Sequence, residues 1–497
     1  MSVIKGFLRL IGYNAERERV VILGSGWAGY TVARGLDPRK YQAVVVSPRS
    51  YFAFTPLLAS TSVGTLEFRT ALEPIRSRRN KVNYFQGWAD GVDFEKKAVT
   101  VEEAVDDPRQ SLAPTGERHA HETKEARVEE LKEEAKKGRL FELTYDKLIV
   151  TVGCYSQTFG TPGVKDNALF LKDVGDARKI RNRILACFEA AALPTTTEEM
   201  RRTLLNFAVV GGGPTGIEFS AELHDIITED LAKIYPELIP YHKITVYDVA
   251  EKVLPMFDEQ LAKYAMDTFK REGISIKTSH HVEELRKGLP ESMNVTQQHD
   301  SFTLKVKEEG DVVVGMVVWS TGLMMNPFVE KALRGVPHLP EGSIKVVNPA
   351  QQEIDQVDWV VKKADKSGSV LTDDRLRVKV VAKGEGENKP EAVLNDVFAL
   401  GDCAILEGTA YPATAQVASQ KADWLAKRLN KGDFDRAPFS WKNLGVMAYI
   451  GNWNALLQGS GGNWSNISGR AAWIVWRGAY LTKSVSWRNK ILIPTYW

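Results

Sequence analysis

Gly24-Ser25-Gly26-Trp27-Ala28-Gly29 and Gly211-Gly212-Gly213-Pro214-Thr215-Gly216 carry one spacing, G-x-G-x-x-G, twice in a chain of 497 residues. Each follows a short β-branched run, Arg19 to Leu23 in the first case and Asn206 to Val210 in the second. Each opens a stretch, Ala28 to Leu36 and Ile217 to Leu231, that reads as a helix. Strand, glycine turn and helix in that order let the backbone approach a pyrophosphate at the positive end of a helix. One such turn is also met as a plain tight junction. Two in the same context predict an α/β chain with two Rossmann-like dinucleotide-binding modules.

Outward from the turns, the next strands end differently. Ile244 to Tyr247 stops at Asp248, where a ribose-binding carboxylate is expected. A carboxylate accepts hydrogen bonds from a free 2′-hydroxyl and repels a 2′-phosphate, so Asp248 favours NADH over NADPH. The run from Gly216 to Asp248 exceeds the usual ~20 residues, so Ile227 to His242 must prolong the helix or form a loop. Ala43 to Pro48 places Ser47 at the matching position of the first module, and Ser47 or Arg49 must replace the acid there. Lys147 to Val152 and Val312 to Ser320 are continuous apolar runs that end at Gly153 and at Thr321–Gly322. They read as buried parallel strands leading into loops, with Gly153 and Gly322 among the cofactor-binding positions.

Such a length suggests two or three domains. With 43% hydrophobic and 26% charged residues, neither wholesale disorder nor a multi-spanning membrane protein is supported. A net charge of +2 gives no reason to expect a nucleic-acid partner. Cys154, Cys187 and Cys403 form neither a metal-ligand set nor a C-x-x-C pair, so no metal is expected and electrons cannot pass through a flavin-adjacent dithiol. No stretch of about 18 uninterrupted apolar residues occurs, which argues against a transmembrane helix. Met1 to Tyr13 reads as a short mitochondrial presequence or an N-terminal arm. Glu117 to Arg139 reads as a solvated helix or insertion, and Asp365 to Asp374, within the polar segment Pro349 to Gly386, as an ordinary hairpin.

Val397-Phe398-Ala399-Leu400-Gly401-Asp402 is an apolar strand ending in Gly-Asp, similar to the second flavin signature of two-dinucleotide-domain, glutathione-reductase-like flavoproteins. Tyr51-Phe52-Ala53-Phe54-Thr55-Pro56-Leu57-Leu58, the run Gly211 to Leu223 and Ala415-Gln416-Val417-Ala418-Ser419-Gln420 then make the resemblance specific. The chain resembles a type II, rotenone-insensitive NADH dehydrogenase over nearly its whole length. That resemblance implies FAD on the first turn, with Thr55 and Pro56 beside it and Asp402 at its ribityl chain, and NADH on the second. It implies Glu218 near nicotinamide and flavin, and Gln416 and Gln420 orienting the carbonyl of ubiquinone. It further implies a non-proton-pumping enzyme on the mitochondrial inner membrane, peripheral and on a face left open. The expected division is 1–173 and 326–430 for FAD, 174–325 for NADH, and 431–497 for a C-terminal membrane-associating, dimerising segment. Ala59 and Lys421 stand where many members of that family have Pro and an acid or Gln.

In the C-terminal segment Trp473, Trp476, Tyr480 and Trp487 recur at helical spacing, with Arg470, Arg477 and Arg488 in a second stripe. Rings at headgroup level and cations toward anionic lipid suit a membrane surface. A homodimer interface is the competing use and is compatible with it. Two other functions share the glycine turns: a soluble NADH-dependent reductase of a small redox protein, and a redox-sensing interaction protein similar to apoptosis-inducing flavoproteins.

Overall fold

The computed structural model describes residues 17–77, 81–115, 138–293, 299–333, 335–336, 338–346, 358–384, 389–434, 436–460 and 466–496. The segment Met1 to Tyr13 and nearly all of Glu117 to Arg139 lie outside them.

Five parallel strands form the heart of the larger sheet, in the order Glu391–Ala399, Lys147–Val150, Glu18–Leu23, Tyr41–Ser47 and Asn83–Asp93. Val20, Val21, Ile22 and Leu23 are fully buried, because helices or strands cover both faces. The chain therefore returns to the first module near its end, and Glu391–Ala399 brings Gly401 and Asp402 to the same sheet edge as Gly24. Antiparallel strands extend the sheet on both sides, among them Trp359–Val361, Val370–Thr372 and Arg377–Ala382. Lys363 and Val370 bridge across the tip, so Asp365 to Asp374 contributes to the hairpin expected of it.

The second sheet is all parallel, in the order Leu169–Phe170, Met316–Trp319, Asn206–Val210, Lys243–Tyr247 and Ser275–Lys277. Leu169 enters it a few residues before the expected crossing at 173. Helix Pro214–Asp225 follows the second turn and runs into a π-helical stretch, Ile226–Leu231, and then Pro236–Tyr241 as a 3₁₀ helix. That extension accounts for the long path to Asp248. Val312 to Ser320 is two strands, Gly310–Val314 in an antiparallel meander and Met316–Trp319 in the parallel sheet. They part at Gly315, where a Cβ would lie 1.9 Å from Leu204 O. Hydropathy does not register this break, since both strands are apolar.

The C-terminal region adds an antiparallel sheet, Val446–Tyr449, Ala455–Gln458 and Asn466–Gly469, followed by helices Arg470–Lys483 and Trp487–Tyr496. No helix among the described residues is long and apolar enough to cross a membrane.

Candidate active site

The two glycine turns repeat each other contact by contact. Gly24 N donates to Val46 O and Gly211 N to Tyr247 O, both at 2.8 Å. Their φ angles are +113° and +114°, which L side chains rarely adopt. A Cβ on Gly29 would lie 2.0 Å from Gly24 O and 2.6 Å from Thr151 Oγ1; on Gly216 it would lie 2.0 Å from Gly211 O and 2.6 Å from Ser320 Oγ. Thr151 and Ser320 thus close the two turns from behind, donating to Leu23 O at 2.8 Å and to Val210 O at 3.2 Å. Neither hydroxyl is visible in the local motif, because each arrives on a strand distant in sequence. Gly26 and Gly213 differ from the other glycines. Each caps its helix in an extended conformation, with no atom within 4 Å of a Cβ built there. That open face at a helix N-terminus fits a dinucleotide pyrophosphate.

The strand ends keep the difference seen in the sequence. Asp248 accepts from Gly212 N, and from Ala250 N at 2.7 Å, so its carboxylate is fixed beside the second turn. Ser47 is buried, and its hydroxyl lies 2.9 Å from Ser25 Oγ and accepts from Arg49 N at 3.2 Å. Ser25 Oγ in turn reaches Tyr51 O at 3.0 Å. The Arg49 guanidinium is paired with Asp173, which also accepts from Tyr51 Oη at 2.9 Å and caps helix Val174–Ala192. Ser47 and Arg49 both line a cleft of about 1030 Å³, open solvent included, that reaches from Gly24 to Lys172 and Phe328.

Gly401, at φ +84°, packs its Cα against the first turn, with a Cβ position only 3.5 Å from Ala28 Cβ. Asp402 follows at the sheet edge, and burial raises its pKa against the opposing charges of Lys172 and Lys421. Gly153, also at positive φ, and Gly322, whose Cβ position meets only Phe159 Cζ at 4.0 Å, leave open loop ends on the two closing strands. Thr215 is exposed beside Pro214 at the start of its helix. Thr55 is exposed and accepts from Trp27 Nε1 at 3.0 Å, while Pro56 sits in the 3₁₀ turn Thr55–Leu57. All three cysteines are buried. Burial pushes the thiols of Cys187 and Cys403 up to about 11 and that of Cys154 up to about 12, so none is a ready nucleophile.

Glu218 lies at the start of the second turn of helix Pro214–Asp225. Burial pushes its carboxyl up to about 8, opposed by a hydrogen bond from Tyr449 N at 3.1 Å and assisted by the charge of Glu222. Although part of the residue stays accessible, its carboxyl is crowded by protein, which favours the protonated form. Glu222, one turn on, accepts from Ser60 Oγ at 2.6 Å and Thr65 Oγ1 at 3.0 Å, and burial takes it up to about 7. Gln416 and Gln420 begin helix Ala415–Lys431, whose N-cap is Thr414. Their amides are already engaged. Gln416 Oε1 accepts from Leu444 N at 2.9 Å and Trp441 Nε1 at 3.1 Å, while its Nε2 donates to Gly445 O at 3.2 Å. Gln420 exchanges two bonds with the backbone of Lys442, at 2.8 and 3.0 Å. The short stretch 441–449 therefore touches Gln416, Gln420 and Glu218 at once, a convergence with no local signal in the sequence.

The aromatic stripe of the C-terminal helix faces inward. Trp476 is buried between Tyr449 and Tyr480, with ring centroids 5.5 and 5.0 Å away, and Tyr480 continues to Phe54 at 6.1 Å. Trp473 is part-buried, stacks on Trp453 at 4.9 Å and carries Arg477 over its face at 3.8 Å. Trp487 is 71% exposed on the separate last helix, with Lys490 Nζ 5.5 Å from its ring centroid. Ile474 and Ile491, both 65% exposed, and Val475 present the outward apolar surface instead. The spacing identifies a stripe, but the rings are consumed in covering the acidic face of helix Pro214–Asp225.

Comparison with known proteins bears on this arrangement. Residues 18–360 match the family model described as pyridine nucleotide-disulphide oxidoreductase, and residues 443–497 match the NDH2 C-terminal domain. A protein named probable NADH dehydrogenase from Dictyostelium discoideum is 35% identical over 98% of this chain and 90% of its own length. The mitochondrial external alternative NADH-ubiquinone oxidoreductase of Yarrowia lipolytica is 32% identical over 97% of this chain and 79% of its own. A solved structure of NDH2 from Plasmodium falciparum in complex with NADH shares the fold, with a TM-score of 0.72 and 23% identity over 97% of both chains.

Proposed function

Because this chain belongs to the type II NADH dehydrogenases, within the pyridine nucleotide-disulphide oxidoreductase family, we propose the following division of labour for a non-proton-pumping NADH:ubiquinone oxidoreductase. When bound, FAD supplies the two-electron acceptor between NADH and ubiquinone. Residues 1–173 and 326–430 hold it, with Gly26, Ser47, Arg49 and Asp402 along its length. Residues 174–325 hold NADH on Gly213, with Asp248 at the adenosine ribose. Reducing a quinone to a quinol with one hydride equivalent requires one further proton, and Glu218, whose burial favours the protonated carboxyl, is its source. Gln416 and Gln420 orient the quinone carbonyl by exchanging amide bonds that residues 442–445 now occupy. The observation that carries this reading is the stretch 441–449, which holds the acid of the NADH side and the amides of the acceptor side together.

Resolving the half-reactions by stopped flow tests it. Gln416→Ala is expected to leave flavin reduction by NADH near wild type and to slow reoxidation by a ubiquinone analogue about fivefold, one lost hydrogen bond being worth on the order of 1 kcal/mol. Slower flavin reduction instead would move Gln416 to the NADH side.

We place the protein at the mitochondrial inner membrane as a peripheral homodimer, with Ile474, Val475, Trp487 and Ile491 entering the headgroup region and Lys483 and Lys490 toward anionic lipid. Changing Ile474, Trp487 and Ile491 together to Ser is expected to abolish flotation with cardiolipin-containing vesicles while NADH oxidation by a small soluble acceptor persists. Undiminished flotation would assign the anchor elsewhere, and sedimentation velocity of the same variant reports the dimer.

A further inference from the structure

Lys421 is 3% exposed, yet its Nζ has one long hydrogen bond, to Ala404 O at 3.5 Å. Burying an ammonium on a single weak acceptor is costly unless a charge nearby needs it. The groups facing it come from the strand end that passes beneath the helix: Asp402, the Cys403 thiol and the Ala404 carbonyl. Asp402 is shared. The charge of Lys172 acts on the same carboxylate, and its Nζ donates to Cys154 O on the cleft wall. The field of both lysines reaches Asp402, beside the edge where Gly401 packs against Ala28 of the first turn. Lys421 adds a buried positive charge at that edge.

We propose that Lys421 is a positioning residue that tunes the flavin electrostatically, its buried charge raising the affinity of the bound flavin for electrons through Asp402. The inference rests on the reading that FAD lies along Gly26 and Asp402. Two-electron reduction adds negative charge to the isoalloxazine ring, and a cation fixed in a poorly solvated surround favours the more negative form. Neutralising Lys421 removes that buried positive charge while Lys172 stays in place on the cleft wall.

The test is an equilibrium redox titration of the purified holoprotein against a reference dye, with no turnover. Lys421→Met keeps the length of the side chain without its charge, and Lys421→Gln restores an amide. In both, with flavin content retained, the ratio of reduced to oxidised flavin at a given dye poise is expected to fall about tenfold, equivalent to about 30 mV for a two-electron couple. A ratio within twofold of wild type in both overturns the proposal. Should both variants lose flavin, the pH series of the wild-type potential decides. Burial takes Lys421 down to about 8. Reduction should therefore draw an extra proton onto it in the alkaline range and steepen the dependence, whereas a constant slope to pH 10 overturns the proposal. Wild-type protein purified without flavin would instead refute the FAD assignment itself.

Discussion

The two glycine turns use the same backbone and differ in charge. Gly24, Gly26, Gly29 and Thr151 have their counterparts in Gly211, Gly213, Gly216 and Ser320, with nearly equal distances throughout. At the strand ends the likeness stops, Ser47 against Asp248, and again on the helices, where Thr31 occupies the place of Glu218. The shared backbone forms an anion-binding end for any dinucleotide. The side chains that stand outside it decide which dinucleotide binds and whether a proton is at hand.

The largest effect should come from the two open glycines. A Cβ at 26 or 213 has no protein atom within 4 Å, so both Val variants are expected to fold, as judged by an unchanged circular dichroism spectrum. Gly26→Val should then be colourless, while Gly213→Val should keep its yellow flavin and lose reduction by NADH at least a hundredfold. Flavin lost from both would mean that the turns are not independent. Next comes the strand end. Asp248→Asn keeps one acceptor oxygen, for either Gly212 N or Ala250 N, and removes the charge, and is expected to raise the NADPH to NADH ratio of kcat/KM about tenfold, worth ~1.4 kcal/mol. A constant ratio would leave Asp248 a loop brace only.

The smallest effect is on pH. A carboxyl raised to about 8 is protonated below that value, so flavin reoxidation by quinone should decline as pH rises through about 8 and the proton is lost. Glu218→Gln should flatten that decline within a few-fold change of rate, whereas a decline that persists would exclude Glu218 as its source. Stability has the same sign. Glu218 and Glu222 titrate higher in the folded chain than in the unfolded one, so their contribution is whole below about pH 4.5 and is lost as pH rises through about 7 to 8. Thermal melts of the Glu218→Gln protein should show a shallower alkaline loss.

What could be read from the chain follows from where the information lies. The glycine turns, the Asp248 strand end and the Gly-Asp element are local, and a run of a few residues dictates the backbone they need. Thr151 and Ser320 matter as much to the turns but come from strands paired only in the folded sheet. The C-terminal stripe exposes a different limit. Periodicity identifies that Trp476 and Tyr480 share a face, but an aromatic face serves equally for lipid and for covering Glu218. Likewise Gln416 and Gln420 stand out in sequence, whereas their bonds to 442–445 depend on a segment that no motif announces.

The stretch 441–449 has a consequence for inhibition. A ligand that takes the amide of Gln416 must displace Leu444 and Gly445, and the strain passes within a few residues to Tyr449 N on Glu218. On the proposed division of the site, occupancy at Gln416 and the state of Glu218 would be thermodynamically linked, and linkage is reciprocal. Compounds wedged beneath this strut should therefore show mixed rather than competitive patterns against both substrates, and substitutions that relieve them should cluster along the strut instead of lining either pocket.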